Sequence, residues 1–359
     1  MDLESRMDLI RGVGEEIITE PELRKLLQTN DRPVAYDGFE PSGLAHVPFG
    51  ILRPMMIKDL QQAGVHVKLW LADWFAWINN KMDGNMERIR KVGEYFIEVW
   101  KAAGVTEVEY IFASDLMDKE YWRRVLMIAK NTTMNRATRA LTIMGRTKGE
   151  MKEVAQYFYP MMQVSDIFQL DVDICQLGLD QRRAGMLARD VAPKLKLKKP
   201  VVVSHHMLMG LQGAKQPEGF EESRGMDMQI SAKMSKSKPA TCIFIHDSRE
   251  EIRKKLMSAF CPEKITENNP VLEYFRYIIF RKFKAVKVDR ARKSGGYHVF
   301  NSYEKLEESY RKGDIHPLDA KTAAASYMDD LIKPVREHFE KDKNAKALYE
   351  FVSKQDVTR

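Results

Sequence analysis

Pro33-Val34-Ala35-Tyr36-Asp37-Gly38-Phe39-Glu40-Pro41-Ser42-Gly43-Leu44-Ala45-His46-Val47-Pro48-Phe49-Gly50 reads as a strand, a turn and the opening of a helix in direct succession. A short run rich in β-branched and aromatic residues ends in a Gly/Pro/Ser turn, and an apolar, methionine-rich pattern follows from Ile51 to about Gln62. In open α/β sheets, ligands bind at such strand-to-helix turns. His46 stands at the helix entrance, where an imidazole and free backbone amides can meet phosphate oxygens. Taken alone, a histidine there more often caps or packs.

The same alternation continues on both sides of this unit. Strand-like segments at 34–39, 65–71, 108–112, 172–177 and 201–204 are separated by helical patterns. In one of these, Ile89, Val92, Phe96, Val99 and Trp100 share a face before Gly104 stops the helix. The fold class implied is α/β, a doubly wound, Rossmann-like parallel sheet with its ligand site at the carboxyl ends of the strands. After about Thr241 strand signals fade and helical patterns dominate. The expected division is 1–240 for a catalytic domain and 241–359 for a mainly α-helical C-terminal domain.

Lys233-Met234-Ser235-Lys236-Ser237 lies just before that boundary, after a glycine-rich, polar stretch at 210–225 that includes Gly213 and Gly219 and reads as a mobile connection. Lysines on such a loop suit nucleotidyl transfer, because they can close on a triphosphate as charge develops in the transition state. An arbitrary Lys/Ser pentapeptide is more often a solvated surface loop.

With 58 Lys and Arg against 51 Asp and Glu, the chain has a formal charge of +7 and a pI near 9.0. A polyanionic partner fits this balance. Much of the surplus falls in the last third of the sequence. Between Arg276 and Lys293, basic residues recur with Asp289 the sole acidic one, interleaved with Ile278, Ile279, Phe280 and Phe283. That pattern predicts an amphipathic helix with an aromatic core face and a basic face open to phosphate. Cys175, Cys242 and Cys261 are far apart and lack metal-ligand spacing, so they read as reduced thiols. The charged N-terminus is unlike a secretory signal and no apolar run approaches the roughly 20 residues of a membrane helix. A cytoplasmic protein is expected.

Pro160 suits the first position of a helix, and Tyr159, Gln163 and Asp166 then follow at i, i+4 and i+7 on one face. Seven helical residues span roughly 10 Å, about the length of a tyrosine molecule. One face could hold an ammonium group at one end and a phenol at the other, although such a stripe alone is more often helix surface.

Together the 33–50 stretch and the lysine loop resemble, in order and separation, the two signatures of class I aminoacyl-tRNA synthetases. Further blocks extend the resemblance through nearly the whole chain to tyrosyl-tRNA synthetases of archaeal and eukaryotic type. They are Leu71-Ala72-Asp73, Tyr159-Pro160-Met161-Met162-Gln163-Val164-Ser165-Asp166, Gly178-Leu179-Asp180-Gln181-Arg182 and His316-Pro317-Leu318-Asp319. The resemblance implies tyrosine activation by ATP and transfer to tRNA. In it, Tyr159, Gln163 and Gln181 hold the substrate's amino and carboxylate groups, while Tyr36 and Asp166 bind its hydroxyl. Lys233, Lys236 and His46 are the catalytic residues, and Gly38 and Ser235 join them in binding ATP. Arg182 and Asp319 contact tRNA, Asp319 reading the first anticodon base. ATP enters as a substrate with Mg2+, with no tightly bound cofactor and no resident metal, and the protein is a homodimer whose partners are tyrosine tRNA, L-tyrosine and ATP.

Two departures stand out. Phe49 replaces the second histidine of the first signature, and Ser294 occupies a place where several relatives carry an aromatic that stacks on the anticodon, leaving Tyr297, His298 or no stacking residue as the alternatives. A phenol is both donor and acceptor, so the Tyr36 and Asp166 pair would select tyrosine. The family's rejection of phenylalanine by about 10⁵ comes with the resemblance. Two other readings are a tryptophan-specific synthetase, disfavoured because an indole offers only a donor, and an RNA-binding relative without catalysis, disfavoured by the lysine loop and His46.

Overall fold

The structure, a computed structural model, describes residues 1–145, 153–214, 224–290 and 296–355. Its main sheet contains β1 (Glu16–Ile18), β2 (Val34–Phe39), β3 (His66–Leu71), β4 (Glu109–Phe112), β5 (Ile174–Gly178) and β6 (Val201–His205) in the order β1-β6-β5-β2-β3-β4. β2 pairs in parallel with β3 and β5, β3 with β4, and β5 with β6. The five expected strands are all present and the parallel, doubly wound arrangement is as read from the alternation. β1 is an addition: three residues pairing antiparallel on β6.

Chain order reverses between β2 and β5. β2 feeds forward to β3 on one side, whereas β5 arrives on the other after the intervening helices. A crevice therefore opens at the carboxyl ends of β2 and β5, the place where this topology binds ligands. Tyr36, Asp37 and Gly38 line it from β2 and Gly178 from β5.

The helix after β2 begins irregularly. Pro48–Leu52 forms a wide turn closed by Arg53 N–H to Pro48 O, and the regular helix Arg53–Gln62 follows. Pro54 cannot donate into an unbroken ladder, which accounts for the widening just before it. Gly50 is required there, because a Cβ would lie 2.5 Å from Ile245 Cγ2. Helix Met86–Ala102 buries Ile89, Val92, Phe96, Val99 and Trp100 as its spacing predicts, and Gly104 follows with φ +75°.

The C-terminal part is mainly helical, with helices Arg249–Met257, Tyr303–Lys312, Pro317–Lys341 and Lys343–Ser353 and a small antiparallel pair, β7 (Val286–Val288) and β8 (His298–Phe300), that the sequence reading missed. The apolar core runs across the 240/241 division: Val47 N–H donates to Ile243 O, and Ile245 N–H to Ala45 O. Of the basic 276–293 stretch, 291–293 lie outside the described residues, and 276–290 is not one helix. Helix Pro270–Tyr274 continues through a wide turn, Phe275–Ile279, and ends with Phe280–Lys282, after which β7 begins. Ile278 and Ile279 are buried as expected, together with Phe275, while Phe280 and Phe283 are partly buried, but Arg281 is held by Asp59 and the carbonyl of Gly12. Arg290 donates to the carbonyls of Gly296 and Asp314. Among the described residues, Arg281 and Arg290 are thus engaged within the chain rather than lying on an open basic face.

Gly219, within the expected mobile connection, and Ser294 lie outside the described residues, while Gly225 belongs to helix Arg224–Ala232. Cys175, Cys242 and Cys261 are free thiols. No described helix is long and apolar enough to cross a membrane.

Candidate active site

A cavity of about 310 Å³ opens in the crevice at the switch point, within the range of small-molecule sites. Helix Tyr159–Gln169, with Pro160 in its first turn, forms one wall and presents Tyr159, Gln163 and Asp166 to the cavity. The face inferred from i, i+4, i+7 spacing is therefore the lining face.

At one end, Asp166 is 1% exposed and accepts a hydrogen bond from Tyr121 Oη at 2.7 Å. Burial pushes its carboxyl upward, and the Tyr121 bond pulls it back. Tyr36 is 1% exposed, and its hydroxyl makes no well-formed hydrogen bond among the described residues, with the Gln163 side chain the one hydrogen-bonding group that acts on it. Burial, with Asp166 and other anionic groups nearby, keeps that phenol protonated. A buried donor without an acceptor costs free energy. A substrate hydroxyl placed between Tyr36 and Asp166 would accept from one and donate to the other.

Toward the other end of the helical stripe, Tyr159 Oη donates to Glu40 Oε1 at 2.5 Å, and Asn79 Nδ2 donates to the same oxygen at 2.6 Å. Phe75 packs edge-on against the Tyr159 ring at 4.7 Å. Gln163 Nε2 donates to Gln181 Oε1 at 3.2 Å, and Gln181 Nε2 to Ile143 O at 2.9 Å. Gln163 Oε1 is buried and unpaired among the described residues, so an acceptor remains for an ammonium group.

The residues expected to meet phosphate, His46, Lys233 and Lys236, line the same cavity. His46 lies at the turn into the helix, its carbonyl accepting from the amides of Phe49 and Gly50. Burial and the two lysines push its imidazole well below the usual range, so it is neutral, and its Nδ1 is buried without a partner among the described residues. Lys236 Nζ donates to Ser42 Oγ at 3.2 Å and lies 5.1 Å from the Phe96 ring centre. Burial lowers this ammonium to about 8. Lys233 Nζ pairs with Asp180 Oδ2 at 2.6 Å.

The remaining expectations fall unevenly. Gly38 lines the cavity, and a Cβ there would meet Trp70 and Tyr36 only at 3.6 Å, so protein packing does not itself demand glycine. Ser235 is not among the lining residues; its Oγ lies 2.8 Å from Ser237 Oγ. Arg182 points elsewhere, donating to Glu16 Oε2 of β1 at 2.7 Å. Phe49 sits in an aromatic cluster, 4.2 Å from Phe96, 4.7 Å from Trp100 and 5.2 Å from Phe39 between ring centres. It has a packing role that an imidazole would fill less well. Among the described residues no cluster of three or more His, Cys, Asp or Glu side chains is arranged to hold a metal ion.

Several site groups were not singled out in the sequence, although Glu40 and Asp180 lie within its matching blocks. Tyr121, Glu40, Asn79 and Asp180 each position a lining residue from a different element. On the cavity wall, Arg53 pairs with Asp37 Oδ2 at 2.6 Å and also engages Gln176 and His205. Burial raises Asp37 to about 6 despite Arg53. A buried pair of this kind fixes the ends of β2 and β5, since losing one partner would strand the other charge.

This geometry agrees with comparisons across known proteins. The family model described as tRNA synthetases class I (W and Y) matches residues 28–216 and 226–333. Tyrosine–tRNA ligase of Saccharolobus islandicus (strain M.14.25 / Kamchatka #1) is 43% identical over the whole of both chains. Cytoplasmic tyrosine–tRNA ligase 2 of Arabidopsis thaliana is 43% identical over the whole of this chain, which spans 46% of that relative's length. The crystal structure of tyrosyl-tRNA synthetase from Pyrococcus horikoshii, complexed with L-tyrosine, superposes with a TM-score of 0.89 at 39% identity, covering 98% of this chain and 100% of that one. The chain belongs to the class I aminoacyl-tRNA synthetases, in the tyrosyl-tRNA synthetase branch of archaeal and eukaryotic type.

Proposed function

We infer that this chain is a tyrosine–tRNA ligase, which activates L-tyrosine with ATP and transfers the tyrosyl group to the 3′ end of tyrosine tRNA. The observation that carries this reading is the single cavity in which the Tyr36 and Asp166 pair, suited to a phenol, adjoins His46, Lys233 and Lys236, suited to phosphates.

In the first step the tyrosine carboxylate attacks the α-phosphorus of ATP, a P–O bond forms, and the bond to pyrophosphate breaks. Tyr159, Gln163 and Gln181 orient the amino acid, while Tyr36 and Asp166 hold its far end. Lys233 leaves Asp180 for the triphosphate, and Lys236 turns from Ser42, so that two cations meet the charge that builds on the leaving pyrophosphate. Neutral His46 donates a hydrogen bond rather than a charge. Magnesium arrives with ATP as part of the substrate. In the second step a terminal ribose hydroxyl of tRNA attacks the tyrosyl carbonyl and AMP leaves. Positioning supplies much of the acceleration.

We assign 1–240 to catalysis and 241–359 to the anticodon. A second cavity, of about 400 Å³, contains Asp319 with Arg249, Arg253 and Lys287. His316 caps helix Pro317–Lys341, its Nδ1 accepting from Leu318 N–H at 3.2 Å, so Asp319 is not needed as the cap. Tyr297 is 61% exposed beside this cavity, its ring 4.6 Å from Lys287 Nζ, which favours it over His298 as a stacking surface. Arg182 would have to release Glu16 to reach tRNA. Exposed Leu116, Trp122, Leu126, Val154, Tyr157 and Phe158 support a surface for a second copy of the chain, in keeping with a homodimer. We assign its activity to the cytoplasm, where the name of the plant relative places that protein.

Charging of tyrosine tRNA by the purified chain tests the reading as a whole, and Asp319→Ala tests its tRNA half. In this variant tyrosine-dependent pyrophosphate exchange stays near normal, whereas kcat/KM for tRNA charging falls by about 10-fold or more, the value of a charge-assisted hydrogen-bonding contact. The defect shrinks when the first anticodon base is already replaced, because one contact cannot be lost twice. Equal defects on both tRNAs, with a lowered Tm, would mark Asp319 as structural.

A further inference from the structure

The lysine loop is anchored to a neighbouring segment. Met209 and Lys233 form an antiparallel bridge, Met234 N–H donates to Leu208 O at 2.8 Å, and Gly210 N–H donates to Ala232 O at 2.9 Å. Segment 208–211 is thus the loop's partner strand. A shift of that segment would shift the root of Lys233.

Glu273 reaches this segment from helix Pro270–Tyr274, on the C-terminal side of the division. Its Oε2 accepts the Met209 N–H at 2.8 Å, and its Oε1 lies 3.3 Å from His206 Nε2. His206 Nδ1 lies 2.9 Å from Glu15 Oε2, and the ring stacks on Tyr277 at 4.0 Å, with planes 8° apart. Glu15 Oε1 accepts from Gln229 Nε2 at 2.8 Å, and Gln229 belongs to helix Arg224–Ala232, which runs directly into the loop. Burial disfavours charge on His206, but Glu15 and Glu273 outweigh it and raise the imidazole to about 9. A cation therefore sits between two carboxylates at neutral pH. One carboxylate holds the strand that pairs with the loop, and the other holds the helix that leads into it.

We propose that Glu273 is a positioning residue for adenylate formation, setting through Met209 and His206 the place from which Lys233 closes on the triphosphate. The inference rests on the lysine loop acting in that step, as proposed above. Glu273 does not touch the reacting atoms in this role. It ties the helical C-terminal part of the chain to the active-site loop, and it is distinct from the Asp180 contact that holds the lysine itself.

The test is single-turnover adenylate formation by the full chain in Glu273→Ala, Glu273→Gln, Lys233→Ala and the Glu273→Ala/Lys233→Ala double variant. Glu273→Ala is expected to slow formation at saturating ATP by about tenfold, with tyrosine Kd unchanged. Glu273→Gln, whose amide oxygen still accepts the Met209 N–H, recovers most of the rate. In the Lys233→Ala background the Glu273→Ala defect largely disappears, the signature of one group acting through the other. Additive defects in the double variant would overturn the proposal, as would a parallel loss of tyrosine affinity, which marks general loosening. Should Glu273→Ala not fold, the same cycle with His206→Gln decides: coupling to Lys233→Ala supports the proposal, and additivity overturns it. Unimpaired adenylate formation in Lys233→Ala would instead remove the reading of the loop, and the inference with it.

Discussion

Asp166→Ala is expected to lower kcat/KM for tyrosine activation by on the order of 10²-fold and to erode the preference for tyrosine over phenylalanine by a similar factor. Hydrogen bonds to charged groups are worth roughly 1.5–3 kcal/mol, and each 1.4 kcal/mol is about tenfold. The variant loses the side chain proposed to accept the hydrogen bond of the substrate's phenol. It also strips Tyr121 Oη of its 2.7 Å partner, although Met162 O, at 3.0 Å, still accepts from it. Phenylalanine gains nothing from Asp166 in the wild type, so its activation should change far less. The decisive comparison is pyrophosphate exchange with each amino acid over a range of concentrations. Unaltered selectivity in a folded Asp166→Ala protein would remove Asp166 from the pocket assignment.

Lys233→Ala is expected to slow adenylate formation by on the order of 10²-fold while leaving ATP affinity within a few-fold of the wild type. Removing one preorganised donor to developing charge typically costs that much in rate. The structure holds Lys233 on Asp180 at 2.6 Å, so the lysine already has a partner before reaction. Exchange of Asp180 for the triphosphate gains little in the ground state and more as negative charge accumulates on the departing pyrophosphate. Single-turnover kinetics separate the two quantities. A large loss of ATP affinity with an unchanged chemical rate would contradict a transition-state role.

Legibility in the sequence followed the range of the interactions concerned. β2 to β6 were visible because each is a run of four to six residues with strand-like composition bounded by turns or helical spacing. β1, β7 and β8 have three residues each, too few to establish a period, and they exist because a neighbouring edge pairs with them. The basic stretch after Arg276 looked like one helix since charge and aromatic spacing persist through it, yet Phe283 adopts an extended backbone and Arg281 turns back to Asp59.

The same division applies to the site. Tyr159, Gln163 and Asp166 were legible because one helix sets their spacing. Tyr121 was not, since its helix, Lys119–Lys130, buries Tyr121, Val125 and Ile128 on an ordinary amphipathic face, and nothing local marks the tyrosine as the partner of Asp166. Asp180 lay within a matching block, but its pairing with Lys233 spans 53 positions. The Asp37, Arg53, Gln176 and His205 network likewise joins three separate strands and a helix. Its polar residues look individually misplaced in apolar runs, which is the available signal for a buried network, although the partners cannot be matched without the fold.

Tyrosine-dependent exchange of labelled pyrophosphate into ATP, measured with tryptophan and phenylalanine as controls, tests most directly that this cavity forms tyrosyl-adenylate. Robust exchange with tyrosine and only traces with the other two is the result expected from a phenol held between Tyr36 and Asp166 beside the lysine loop. Exchange driven by tryptophan, or none with any of the three by a folded protein, would contradict it.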